Sequence, residues 1–197
     1  MPKKILVLSG SPKRDGNTAM LVEWFAEGAS SKKARVEVIS VAFLKYKFPG
    51  CTSCRACQKT EEYGCVIEDD ARPVLKKMIE SDVIAMATPL YFFAASAQLK
   101  VIIDRMFSLY KWDNDAGTME TPLKGKTFAL IASAYEDVGM DALERPFALT
   151  AEYTGMRFES LLVLNAGVSG DLRKKEGVRE QAVAFGVKIA SAEFTSP

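Results

Sequence analysis

The chain has 197 residues, with 26 lysines and arginines, 25 aspartates and glutamates, and no histidine. This length suits one domain with a full hydrophobic core, and the near balance of charge argues against nucleic acid or a membrane surface as a partner. The lack of histidine excludes Ser-His-Asp and Cys-His catalysis, histidine-ligated zinc and an imidazole base. We therefore expect a cofactor to carry any chemistry.

The first unit of the chain is an apolar run at 5–8, followed by a polar stretch at 9–18 and apolar residues from 20 to 25. This order predicts a strand, a loop and a helix. A helix N-terminus attracts anions, and the loop adds four small side chains that can hydrogen-bond: Ser9, Ser11, Asn17 and Thr18. The stretch lacks both the Gly-Lys-Ser/Thr of nucleotide-hydrolysing loops and the three glycines of dinucleotide-binding folds. It suits a terminal monophosphate such as that of FMN, although the same residue types also serve as plain helix caps.

The remaining elements continue the alternation of strand and helix. Apolar runs predict strands at 36–41, 83–87, 128–133 and 161–164. Helical spacing predicts four helices: one that begins at 69–73, one that includes 99–110, one at about 140–153 and one at about 174–194. Residues 112–125 are predicted to be a polar loop, and Lys100 and Asp104 to form a solvated ion pair. Five strands and five helices in alternation predict an α/β doubly wound parallel sheet with helices on both faces. We take its strand order as 2-1-3-4-5, one of the common orders of such sheets.

In such sheets ligands bind beyond the carboxyl ends of the strands, near the point where the strand order reverses. Three predicted loops meet there, at 9–18, 89–93 and 133–139. Pro89 stiffens the second loop, and Tyr91 and its neighbours offer flat faces to a ring such as isoalloxazine. The alternative is that Phe92 and Phe93 fill the hydrophobic core.

All four cysteines of the chain fall between residues 51 and 65, in what we interpret as an insertion at about 48–68 of a single domain spanning 1–197. Cys51, Cys54 and Cys57 repeat at every third position, and Cys65 follows. A disulfide pair is not expected in a reducing cytoplasm. The run is typical of a cubane iron–sulfur site, while structural zinc and metal-free thiols remain alternatives.

The loop at 9–18, the cysteine run ahead of Asp69-Asp70 and the stretch from Thr88 to Arg105 together resemble the iron–sulfur flavoproteins. These belong to the NAD(P)H-dependent FMN reductase group with a flavodoxin-like fold. The resemblance implies FMN held at its phosphate by the loop Ser9, Ser11, Pro12, Lys13, Asn17 and Thr18, with Pro89, Leu90, Tyr91 and Phe92 beside the flavin ring. The third loop adds Ser133, Tyr135 and Glu136. The resemblance also implies a [4Fe–4S] cluster on Cys51, Cys54, Cys57 and Cys65, in a homodimer or homotetramer.

The function expected from this resemblance is electron transfer between the cluster and FMN, with ferredoxin or NAD(P)H as donor and a small molecule as acceptor. One alternative is an NAD(P)H-dependent FMN or quinone reductase without a cluster. Another is a regulatory module based on zinc or on thiol oxidation. The chain enters a strand directly after Met1-Pro2-Lys3-Lys4 and has no apolar run of membrane-spanning length, so we expect a cytoplasmic protein.

Overall fold

A computed structural model describes residues 2–113 and 116–192. The strands are β1 (Lys4–Ser9), β2 (Arg35–Ser40), β3 (Val83–Pro89), β4 (Lys111–Asp113), β5 (Thr118–Glu120), β6 (Thr127–Ser133) and β7 (Arg157–Val163). The α-helices are α1 (Asn17–Ser31), α2 (Ala71–Glu80), α3 (Ala97–Arg105), α4 (Met140–Thr154) and α5 (Val178–Ser191). Short 3₁₀ helices lie at Val41–Phe43, Ala56–Lys59, Met106–Leu109 and Asp171–Lys174.

Five strands form one parallel sheet in the order β2-β1-β3-β6-β7, which is the predicted order 2-1-3-4-5. The three central strands are apolar runs with almost no exposed residue, as a sheet covered on both faces requires. The strand order reverses between β1 and β3, so the crevice of the fold lies beyond their carboxyl ends.

The helices cover the sheet on both faces, as predicted. Successive residues of β1 point to opposite sides, and Ile5 and Val7 join a core cluster that includes residues of α1 and α5. Leu6 and Leu8 join the other cluster, which includes residues of α2, α3 and α4. No helix among the described residues is long and apolar enough to cross a membrane.

Two sequence predictions are wrong around residue 110. The predicted helix through 99–110 ends at Arg105, continues as the 3₁₀ turn Met106–Leu109, and gives way to extended backbone at Tyr110. The predicted polar loop contains the antiparallel ribbon β4-β5, which pairs Trp112 with Met119. Asn114 and Asp115 lie outside the described residues.

The last two elements also differ from the prediction. Strand β7 begins at Arg157, four residues before the predicted strand at 161–164, because the polar residues Arg157, Glu159 and Ser160 interrupt the apolar pattern there. Helix α5 begins at Val178 rather than near Lys174, because Gly177 has a φ of +77° and ends the turn before it. The predicted last residue of this helix, Phe194, lies outside the described part of the chain. Lys100 and Asp104 form the expected exposed ion pair.

Candidate functional site

A cavity of about 260 Å³ lies beyond the carboxyl ends of β1, β3, β6 and β7, where the three predicted loops meet. Nine of the thirteen predicted cofactor-binding residues line it: Ser11, Lys13, Asn17, Thr18, Pro89, Leu90, Tyr91, Ser133 and Tyr135. Ser9, Pro12, Phe92 and Glu136 do not. The sheet topology has thus brought together residues that are more than a hundred positions apart in the sequence.

The N-terminus of α1 opens into this cavity. Its N-cap is Gly16, which has no side chain to cap the helix, and the first turn carries no acidic residue. The first backbone N–H groups are therefore left for an external acceptor, and the first turn adds no carboxylate that would compete with an anion. These features fit a phosphate group better than a self-capped helix.

Thr18 and Ser133 connect the first loop to the third. Their hydroxyl oxygens lie 3.3 Å apart, and both residues are buried. Closer to the surface, Ser11 Oγ accepts a hydrogen bond from the Lys13 N–H at 3.2 Å, which shapes the loop ahead of the helix. Ser11 Oγ also donates to the Lys13 carbonyl at 3.2 Å, and the hydroxyls of Ser11 and Thr18 could turn to donate to a phosphate at the helix end.

The side chain of Asn17 is engaged with a fourth loop that the sequence analysis missed. Asn17 Nδ2 donates to the carbonyls of Ala166 and Val168 at 2.9 and 3.0 Å, and Asn17 Oδ1 accepts from the Gly170 N–H at 2.9 Å. Ala166, Gly167, Val168 and Ser169 line the cavity. The available signal was their position directly after the last strand, at the ligand-binding edge. Asn17 therefore acts on the site by holding this loop in place.

The first and second loops are joined through Ser96, another residue that the sequence analysis did not single out. Ser96 Oγ donates to the Gly10 carbonyl at 2.7 Å and caps α3 by accepting from Leu99 N. The backbones approach so closely here that a Cβ on Gly10 would lie 2.5 Å from Leu99 Cβ. Only glycine fits at this position without a shift of α3.

The aromatic loop does not fill the core, so that alternative is wrong. Phe92 is 99% exposed and Phe93 54% exposed, and both have positive φ angles, of 45° and 64°. Bulky residues rarely adopt this backbone, and such strain tends to accumulate at functional sites. The turn is closed by a bridge between Tyr91 and Ala94, which leaves Tyr91 at the cavity wall.

The four cysteines line one pocket of their own, between the segment that follows β2 and the end of α3. Cys51 and Cys54 are exposed, Cys65 is half-buried and Cys57 is buried. Hydrogen bonds from the Ala56 N–H and the Thr52 side chain lower the pKa of Cys54, while burial raises the pKa of Cys57. In the described ranges, no three His, Cys, Asp or Glu side chains are close enough together to hold a single metal ion.

The cysteine segment is tied to the body of the molecule through the residues after α3. Lys111 Nζ donates to the carbonyls of Cys57 and Thr60, and Gln58 Nε2 donates to the Tyr110 carbonyl at 2.9 Å. The Gly64 N–H donates to the Ser108 carbonyl at 3.0 Å. The ends of the 3₁₀ helix that bears Cys57 are thus anchored, which fixes the shape of the pocket.

This strand order, with an anion-binding helix end and an aromatic loop at the switch point, defines a flavodoxin-like flavin-binding protein. The chain belongs to the NADPH-dependent FMN reductase family, whose model matches residues 3–158. FMN is therefore the cofactor that the family implies, and the family is one of flavin oxidoreductases.

Curated relatives agree with this family. The chain is 39% identical to an iron-sulfur flavoprotein of Methanocaldococcus jannaschii over 102 residues, which are 52% of this chain and 51% of that protein. It spans about half the length of this relative and of two iron-sulfur flavoproteins of Archaeoglobus fulgidus that it also matches.

Among solved structures, an FMN-dependent NADH-azoreductase of Bacillus anthracis in complex with FMN has a TM-score of 0.68 at 12% identity, covering 96% of this chain and 100% of that one. A flavodoxin from the domain Archaea has a TM-score of 0.58 at 16% identity, covering 95% and 96%. At these identities the two structures bear on the fold alone.

Proposed function

We propose that the protein transfers electrons between a [4Fe–4S] cluster held by Cys51, Cys54, Cys57 and Cys65 and an FMN bound at the edge of the sheet. The observation that carries this proposal is the convergence of all four cysteines on one pocket in a chain of the FMN reductase family. The name of the relative in M. jannaschii supports it. The cysteine segment at 48–68 is then an insertion within a single flavin-binding domain.

The residues around the sheet edge suit FMN. The open end of α1, with the hydroxyls of Ser11 and Thr18, would hold the phosphate, and Pro89 and Tyr91 would lie against the ring. FMN supplies exchange of one or two electrons, so no histidine is needed as a proton carrier. The part of this chain is to bind, orient and shield the cofactor.

The cysteine pocket suits a cluster better than a single zinc ion. Zinc requires its thiolates to converge at about 2.3 Å from one point, and no such group of side chains exists among residues 2–113 and 116–192. A cubane is larger than an ion, so its four ligands stand farther apart around a shared cavity. Four free cysteines also suit a reducing compartment such as the cytoplasm.

The two pockets share no lining residue. A homodimer or homotetramer would bring the cluster of one chain close to the flavin of another. Electrons would then pass between chains. The donor would be ferredoxin or NAD(P)H, and the acceptor a small molecule that reaches the flavin.

The test is the composition and absorption spectrum of anaerobically purified protein. We expect a flavin spectrum with a broad additional shoulder, about four irons and four sulfides per chain, and no zinc. Cys54→Ala should abolish the shoulder and leave FMN bound, whereas Lys59→Ala, a change at an exposed neighbour, should retain both. A full cluster in the Cys54 variant would rule out this ligand set.

A second candidate is an NAD(P)H-dependent FMN or quinone reductase without a cluster. The family match, which includes the flavin-binding edge of the sheet, favours it. Iron-free protein that binds FMN and oxidises NAD(P)H would select this function, and zinc in place of iron would indicate a regulatory module instead.

A further inference from the structure

Arg105, at the last turn of α3, is the largest of the fully buried side chains. Its Nη1 pairs with both oxygens of Asp69, at 2.6 and 2.7 Å, and its Nη2 donates to the Ile67 carbonyl at 3.1 Å. Its Nε is buried and has no hydrogen-bond partner within the described chain. The guanidinium group is therefore held by Asp69 and Ile67, while its Nε–H has no acceptor.

A buried donor without an acceptor loses its hydration and gains nothing in return, so such groups are rare in folded proteins. Arg105 forms part of the wall of the pocket that all four cysteines line. The Cys65 side chain is close enough to the guanidinium group to form a hydrogen bond with it, but Nε itself has no partner. An occupant of this pocket that is rich in sulfur atoms would supply the hydrogen-bond acceptor that the Nε–H of Arg105 lacks.

Asp69 explains why the arginine holds this position. The carboxylate also accepts hydrogen bonds from the N–H groups of Lys47 and Ala71, at 3.0 and 3.1 Å. Residues on both sides of the cysteine segment thus fix Asp69, and Asp69 fixes the guanidinium group. The guanidinium group is thus oriented by hydrogen bonds within the chain, as a tuning device requires.

We propose that Arg105 is a redox-tuning residue, whose Nε–H donates a hydrogen bond to a sulfur atom of the cluster held by the four cysteines. This inference rests on the proposed function. When a ferredoxin-type donor delivers one electron, Arg105 stabilises the negative charge that the sulfur atoms gain. The arginine keeps its proton throughout, and its effect is to favour the reduced state and raise the reduction potential.

The test is an EPR-monitored redox titration of the purified holoprotein and of Arg105→Lys. Lysine keeps the charge and can pair with Asp69. All its N–H donors are on one terminal nitrogen, so it has no donor at the position of Nε. We expect the equilibrium constant for one-electron reduction of the cluster to fall about tenfold, which is about 59 mV for a one-electron couple. The potential of the flavin and the iron content should not change.

Arg55→Lys is the matched control, because Arg55 lines the same pocket but is exposed to solvent. It should leave the cluster potential unchanged. An unaltered potential in the Arg105 variant with a full cluster would overturn the inference and leave the proposed function intact. Wild-type protein without iron would instead overturn the proposed function.

A second measurement decides the matter if Arg105→Lys does not retain iron. In reduced protein carrying Arg55→Lys and labelled with ¹⁵N-arginine, pulsed EPR should detect hyperfine coupling of the cluster to an arginine nitrogen. Among the residues that line the pocket, only Arg105 could then supply it. The absence of this coupling would overturn the inference.

Discussion

Asn17 and Thr18 are neighbours in the sequence and lie at the same helix end, yet the structure gives them different tasks. Thr18 presents a hydroxyl near Ser133 at the floor of the cavity. The amide of Asn17 uses both its donor and its acceptor on the backbone of residues 166–170. The hydroxyl of Thr18 is thus available to a ligand, whereas Asn17 positions the loop that forms one wall of the cavity.

Substitutions at these two positions should separate the two tasks. Thr18→Val keeps the shape but removes a hydroxyl that we expect to bond the phosphate. It should weaken FMN binding about tenfold to a hundredfold, since hydrogen bonds to charged groups contribute about 1.5–3 kcal/mol. Riboflavin, which lacks the phosphate, should bind equally well to the variant and the wild type. Fluorescence titrations of the apoprotein with both ligands provide the measurement.

Asn17→Ala should instead weaken FMN and riboflavin together, because the loop at 166–170 loses its anchor whichever ligand binds. The same titrations apply. Loss of affinity for FMN alone would show that Asn17 contacts the phosphate directly and that its bonds to the loop are secondary.

Helices α1 and α5 pack together through glycines on both helices. A Cβ on Gly28 would lie 2.0 Å from the Val183 carbonyl oxygen, and one on Gly186 would lie 2.1 Å from the Phe25 carbonyl oxygen. Contacts shorter than 3.0 Å to backbone atoms cannot be relieved by turning a side chain. The close approach matters to the site, because α1 begins at the cavity.

Gly186→Ala should therefore destabilise the protein, although alanine is the better helix former by about 1 kcal/mol. The clash with the α1 backbone forces the two helices apart, and overpacking of this kind costs about 1–3 kcal/mol. Denaturant unfolding provides the measurement, with the exposed Ser30→Ala on α1 as a control expected to change stability by less than about 0.5 kcal/mol. A stability gain in the glycine variant would contradict the packing described above.

At the scale of the whole molecule, the Asp69–Arg105 pair joins the cysteine segment to α2 and α3. Burial by itself raises the pKa of Asp69, but hydrogen bonds from Arg105, Lys47 N and Ala71 N outweigh it and hold that pKa below its usual range. The unfolded chain therefore binds a proton at Asp69 more readily than the folded chain does. Stability from this group is present above about pH 4 and is lost as pH falls through the folded pKa.

Asp69→Asn tests this linkage. At neutral pH the variant should be less stable than the wild type by about 3 kcal/mol, because the charge of the buried Arg105 loses its partner. The difference in unfolding free energy between the two proteins should narrow as the pH falls below about 4, where the wild type also loses the charge of the Asp69 carboxylate. Unfolding free energies of both proteins across this range provide the measurement. A difference in stability that stays constant with pH would mean that folding does not lower the pKa of Asp69, and it would contradict the linkage described above.

The sequence by itself determined the α/β class and the edge of the sheet at which we expect a ligand to bind. These follow from apolar runs, helical spacing and the rule that parallel neighbours need crossovers, all of which are local signals. The loop at 9–18 and the aromatic loop were placed at the cavity for the same reason. The ribbon β4-β5 was missed, because three-residue strands carry little pattern of their own.

Only the tertiary structure decided which polar groups meet. The bonds of Asn17 to 166–170, of Ser96 to Gly10 and of Arg105 to Asp69 each join segments that are far apart in the sequence. No periodicity encodes such partners, because each depends on how the crossovers bring separate loops together. The sequence revealed four cysteines in a cluster, but the buried arginine with its unused donor beside them is a property of the packed fold.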